Sequence, residues 1–173
     1  MQRSSFSDMP CSVAKTLDII GEWWTLLILR DVFYGVRRFE GLRTHLGISR
    51  KVLTNRLARL IDEEILKKVL YQKQPPRYEY RLTKKGLELL PILLTIMNWG
   101  DKWLSESNKT PVIFVHKDCG KEITPKLVCS HCGGDLHARN VYPTAGPGAP
   151  ADEVEKIRDV SVNPKLFIKE QNN

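Results

Sequence analysis

Between Phe39 and Leu82 the spacing of apolar residues changes character twice, and each change predicts an element. Phe39, Leu42 and Leu46 recur at helical spacing, and Gly47 offers the positive φ that lets a short helix stop and turn. Ser49 is a good N-cap, and beyond it Leu53, Leu57, Leu60 and Ile61 repeat at i, i+4, i+7 and i+8, which builds one apolar stripe for a core. Two helices across so short a turn predict a helix-turn-helix. After Leu66 the period falls to two: KKVLYQ, then Lys73-Gln74-Pro75-Pro76, then RYEYRL with Arg77, Glu79 and Arg81 alternating against Tyr78, Tyr80 and Leu82. Alternation broken by Pro-Pro predicts a hairpin, a wing beside the helix pair. A solvated basic helical hairpin on a β-ribbon is the bland alternative.

Upstream, Ser12 is expected to cap a helix carrying Val13, Leu17 and Ile20 and ending at Gly21. The next run, EWWTLLILRDVFYG, is nearly apolar all round from Trp23 to Leu29, which predicts a centrally buried helix closed by Gly35. Downstream, Thr83 is expected to cap a long helix, TKKGLELLPILLTIMNWGDKWLSES, with Leu87, Leu90, Leu94, Met97 and Leu104 on an apolar side and Pro91 bending or dividing it. Its surplus apolar face, with Trp99 and Trp103, predicts pairing with a second copy, unless it packs back on the central helix. The organisation is thus a flexible N-terminus (1–10), a winged helix-turn-helix and dimerisation domain (11–107), a small Cys/His ribbon-like segment (108–142), and a linker and tail (143–173) with a short helix and strand. No internal repeat stands out. The fold class is mainly α (α+β).

Charge sharpens this picture. Net charge is +7, but residues 37–85 hold 14 Lys and Arg against five Asp and Glu, so +9 is local and the rest of the chain carries −2. A patterned basic helix and hairpin suits double-stranded DNA better than a membrane. No apolar run is long enough to span a bilayer and MQRSSFSDMPCS lacks an apolar signal core, so a cytoplasmic protein without a membrane partner is expected.

The same helical phase nominates DNA-contacting residues. Lys51, Asn55 and Arg59 lie opposite the leucine stripe, where a recognition helix carries its base readers, and Thr54 belongs to the same set. Ser49 and Arg50, at the helix N-terminus, suit a phosphate, as do Lys73 and Arg77 at the hairpin tip. A second chemistry sits in His116-x2-Cys119-x9-Cys129-x2-Cys132, where Cys129-Ser-His-Cys132-Gly has the spacing of a zinc knuckle and Cys119-Gly120 resembles half of a matching one. A closed, structural zinc site, a metal-free ribbon and thiol redox chemistry all fit, and His131 or His137 could compete for the fourth ligand place. Catalysis is not expected, because there is no orienting third group and no Gly-rich phosphate cradle.

The run from Cys11 to Leu104 resembles the HxlR family of bacterial transcriptional regulators, relatives of the MarR group. The resemblance rests on the Cys11 segment, Trp24 to Arg30, Arg38-Phe39, Ile48-Ser49 with Leu53-Thr54 and Arg56-Leu57, and Pro76 to Tyr80 with Leu82-Thr83 and Gly86. It implies a homodimer joined through the first and last helices of the domain, with recognition helices in the major groove of a palindromic site and wings on flanking backbone. It also implies a small-molecule or oxidant effector, with Cys11 either a small apolar residue near the dimer interface or a sensor thiol. The competing reading is a zinc-ribbon adaptor whose winged domain contacts protein or RNA.

Overall fold

The computed structural model describes residues 5–6, 8–106, 109–151 and 154. Most of the expected tail, with its short helix and strand, and part of the N-terminus called flexible lie outside the described residues. Two compact units are present, Met1–Ile123 and Thr124–Asn173, so the segment expected as one ribbon is divided between them.

Four helices come first: α1 (Ser12–Ile20), α2 (Trp23–Phe33), α3 (Phe39–Leu46) and α4 (Arg50–Asp62). The strands β1 (Leu66–Gln72) and β2 (Arg77–Leu82) follow, then α5 (Lys84–Leu87) and α6 (Leu90–Leu104). Local chemistry explains most boundaries. Gly47 takes φ +65° after α3, and the Ser49 hydroxyl caps α4 by accepting from the Val52 N–H at 3.3 Å. Thr83 caps α5 through the Gly86 N–H at 3.1 Å, and the long helix is divided before Pro91, whose missing N–H is harmless in the first turn of α6. One cap differs from expectation: Cys11, not Ser12, occupies the N-cap of α1, and its side chain makes no capping bond.

The core is built by Ile28, Leu29 and Val32 of α2, Leu42 of α3, Leu53, Leu57 and Leu60 of α4, and Ile65 and Leu66 at the start of the wing. The leucine stripe of α4 therefore does what its spacing predicts. The central burial expected of α2 holds for one face only, since Trp23 is 89% exposed and Leu27 also reaches the surface. On α6, Leu93 is buried while Ile92, Ile96, Trp99 and Trp103 stay outside. These four are spaced four, three and four residues apart, the a/d spacing of a helix seam.

β1 and β2 pair antiparallel, with Leu66 opposite Leu82 and Leu70 opposite Tyr78. Arg38 bridges to Glu79 and the Tyr80 N–H donates to the Arg37 carbonyl at 2.8 Å, which ties the chain entering α3 to the wing. Near the end of the first unit, β3 (Phe114–Val115) and β4 (Glu122–Ile123) form a small hairpin. Among the described residues no helix is long and apolar enough to cross a membrane.

Candidate nucleic-acid interface

The outward side of α4 follows from the inward one. Because Leu53, Leu57 and Leu60 are buried, the helical repeat forces Lys51, Thr54 and Asn55 into solvent, and all three are exposed. None of these three has an ion pair or side-chain hydrogen bond within the chain among the described residues, and the same holds for Lys73 and Arg77 of the exposed wing tip. Five of the eight nominated side chains are thus free to meet a ligand.

Arg50 and Arg59 are engaged. Arg50 pairs with Glu40, and its guanidinium lies 5.1 Å from the centre of the Phe39 ring. A hydrogen bond from Arg43 at 2.7 Å and the nearby Arg50 charge hold the Glu40 carboxyl below the usual carboxylate range. At the other end of α4, Arg59 lies 3.0 Å from Glu63 and 3.9 Å from Asp18 of α1. The Ser49 hydroxyl oxygen already accepts the capping bond from the Val52 N–H, a bond that does not use its own proton. The wing adds Lys68, 4.2 Å over the Tyr78 ring, and Arg38, 4.5 Å over the Tyr71 ring.

Two polar clusters that the apolar pattern did not reveal hold α3 and α4 in place. Asp31, on α2, is fully buried; its carboxylate accepts from Arg30 at 2.8 and 3.0 Å and meets His45 Nδ1, on α3, at 2.6 Å. Arg56 on α4 reaches Glu22, the N-cap of α2, at 2.9 Å. Only Asp31 among them is fully buried, so removing Arg30 or His45 takes a partner from a carboxylate that water does not reach. The only sequence signal was a polar Arg30-Asp31 pair inside an otherwise apolar helix.

The Cys/His residues divide between the units. In the first, Cys119 Sγ lies 3.4 Å from His116 Nδ1. In the second, the backbone N–H groups of Cys132 and His131 and the Cys132 thiol hydrogen-bond Cys129, and together they hold its pKa below the ordinary thiol value. Among the described residues no three His, Cys, Asp or Glu side chains form a group that could hold a metal ion. Cys11 is exposed.

A short internal repeat also surfaces here, which the apolar pattern had not shown. FVHKDCGKEI (114–123) and LVCSHCGGDL (127–136) align without gaps, sharing Val115 with Val128, Cys119 with Cys132 and Gly120 with Gly133.

Comparison with known proteins accords with the helix-turn-helix and wing. An uncharacterized HTH-type transcriptional regulator of Mycobacterium tuberculosis, Rv3095, is 44% identical over 140 residues, covering 81% of this chain and 89% of that one. Another from Synechocystis, sll1512, is 36% identical over 99 residues, covering 57% of this chain and 73% of its own. Among solved structures, the candidate transcription factor PA1607 is 31% identical with a TM-score of 0.74 over 83% of this chain and 100% of its own. The redox regulator HypR in its oxidized form is 33% identical with a TM-score of 0.51 over 56% of this chain and 100% of its own. Residues 19–108, more than half of the chain, match the HxlR-like helix-turn-helix family, and this protein belongs to it as a DNA-binding transcriptional regulator.

Proposed function

We propose that the protein binds a palindromic operator in double-stranded DNA as a homodimer, each α4 lying in a major groove and each wing along the flanking backbone. The observation that carries this reading is the outward face of α4, where Lys51, Thr54 and Asn55 are exposed and unpartnered beside a buried leucine stripe. Lys51 and Asn55 have the donors and acceptors that read purine edges, and Thr54 adds a hydroxyl and a methyl. Ser49, Arg50, Lys73 and Arg77 contact phosphate, and Arg59 contacts base or phosphate after leaving Glu63. The second copy docks on the stripe of Ile92, Ile96, Trp99 and Trp103, four exposed apolar side chains at the spacing of a helix seam.

Titration of operator and random duplexes over a salt series tests the assignment. Asn55→Ala is expected to lower the specificity ratio by about 1–3 kcal/mol. Arg77→Ala is expected to weaken both duplexes alike and to flatten the salt slope by about one unit. Equal weakening of both duplexes by Asn55→Ala would remove its base-reading role.

A redox- or electrophile-responsive form of the same function is favoured by the exposure of Cys11 at the start of α1 and by the likeness to a redox regulator.

A further inference from the structure

In the second unit the loop from Cys129 to Cys132 is closed by its own backbone. The Cys129 N–H donates to the Gly134 carbonyl at 2.8 Å, and the Gly133 N–H returns to the Cys129 carbonyl at 2.9 Å. Gly133 takes φ +73°, the left-handed conformation that lets the chain curl back so sharply. Outside these bonds the Leu136 N–H donates to the Leu127 carbonyl at 2.8 Å and Val128 pairs with Asp135. The turn aims its donors at one sulfur: the backbone N–H groups of His131 and Cys132 and the Cys132 thiol all hydrogen-bond Cys129.

The related loop of the first unit shows what such a turn does to its first and fourth side chains. There the His116 N–H donates to the Lys121 carbonyl at 2.8 Å, the Gly120 N–H returns to the His116 carbonyl at 2.8 Å, and Gly120 takes φ +66°. Its first and fourth residues meet, His116 Nδ1 lying 3.4 Å from Cys119 Sγ. In the loop of the second unit the same two positions are both thiols. Two sulfurs are half of a closed zinc site, and among the described residues no third His, Cys, Asp or Glu joins them. Two sulfurs are all that a disulfide needs.

We propose that Cys129 and Cys132 are a reversible dithiol–disulfide pair, a redox site of the second unit that exchanges with small disulfides. Cys132 is exposed, Cys129 is half-buried, and no described residue of that unit is fully buried, so a small disulfide can reach the sulfurs. Cys129, on which the hydrogen bonds converge, is the attacking sulfur. Its thiolate, the proton having gone to solvent, bonds one sulfur of the small disulfide and expels the other as a thiolate, which takes up a proton. Cys132 then loses its proton, attacks the Cys129 sulfur and expels the second small thiolate. Two protein thiols and one small disulfide thus become one protein disulfide and two small thiols, with two electrons passing to the small disulfide. The site rests on neither α4 nor Cys11.

The full chain, equilibrated over a series of glutathione redox buffers, quenched in acid, alkylated and read by peptide mass, tests the pair. Cys129 and Cys132 share one tryptic peptide, 127–139, that holds neither Cys11 nor Cys119. Its internally bonded form is expected to rise from about a tenth to about nine tenths as the ratio of oxidised glutathione to the square of reduced glutathione rises roughly a hundredfold, and to vanish on adding dithiothreitol. Cys132→Ser removes the second step, so it is expected to hold glutathione on Cys129 at least about tenfold above wild type at the same ratio. A peptide alkylated on both sulfurs across the whole series overturns the proposal. So does one recovered mainly with glutathione attached or cross-linked to Cys11 or Cys119, or a Cys132→Ser protein that traps no more glutathione than wild type. Thiols that resist both glutathione and alkylation until a chelator releases zinc overturn it as well, in favour of a metal site.

Discussion

Trp103→Ala separates a dimerisation seam from an incidental apolar surface. Trp103 is 63% exposed and takes no part in the core. A fully covered aromatic side chain buries about 150–250 Å², so each Trp103 leaves about 100–150 Å² for a partner to cover. A two-fold dimer contains the residue twice, about 200–300 Å² in all, which at about 25 cal/mol/Å² is a gross 5–8 kcal/mol. Incomplete cover and the atoms that alanine retains reduce this by about half, to roughly 3 kcal/mol, or about a 100-fold weaker dimer. Sedimentation velocity over a concentration series measures that shift directly. Circular dichroism and the urea midpoint should stay close to wild type, because the removed ring lies outside the core. A dimer constant within about threefold of wild type, for both Trp103→Ala and Trp99→Ala, would refute the seam.

Two further outcomes follow from local geometry. Gly86→Ala should lower the urea midpoint by the equivalent of about 1–3 kcal/mol, because its Cβ would stand 2.2 Å from the Ile65 carbonyl oxygen, where β1 meets the start of α5; an unchanged midpoint would mean the backbone yields freely. Under diamide the wild type should lose operator binding while Cys11→Ser retains it, and identical behaviour of the two proteins would end the sensing role of Cys11.

What the sequence disclosed was local, and what it concealed was tertiary. Gly47, Ser49, Thr83 and Pro91 act within a few residues of themselves, through φ, capping or a missing N–H, so their elements could be placed from sequence alone. The α2 run misled because hydropathy tells that a surface must be covered and not by what. Ile28 and Leu29 meet the chain's own core, whereas Trp23 and Leu27 do not. Asp31 was invisible for the opposite reason, since its value depends on a histidine fourteen residues away in another helix. The paired loops escaped because they share few identical residues, while the feature they hold in common is a hydrogen-bond pattern around a left-handed glycine.

The division of α4 into free and engaged side chains bears on how affinity and specificity separate. Arg50 and Arg59 are held by carboxylates at either end of the helix, while Lys51, Thr54 and Asn55 between them are not. An exposed ion pair is worth at most about 1 kcal/mol, so giving up Glu40 or Glu63 for a phosphate costs little, and the counterions released from the DNA favour the exchange. That exchange is indifferent to sequence. In the proposed operator complex discrimination falls to the central residues, which give up no internal partner when they reach a base edge and forfeit their hydration when the edge is wrong. Arg56 ties α4 to Glu22 at the start of α2, and His45 ties α3 to Asp31 within α2, so the placement of these residues is linked to the packing of α2. In the proposed dimer their spacing from the second copy depends on the α6 seam. A change in that seam would move both readers together and alter which operators fit before it altered any contact to a base.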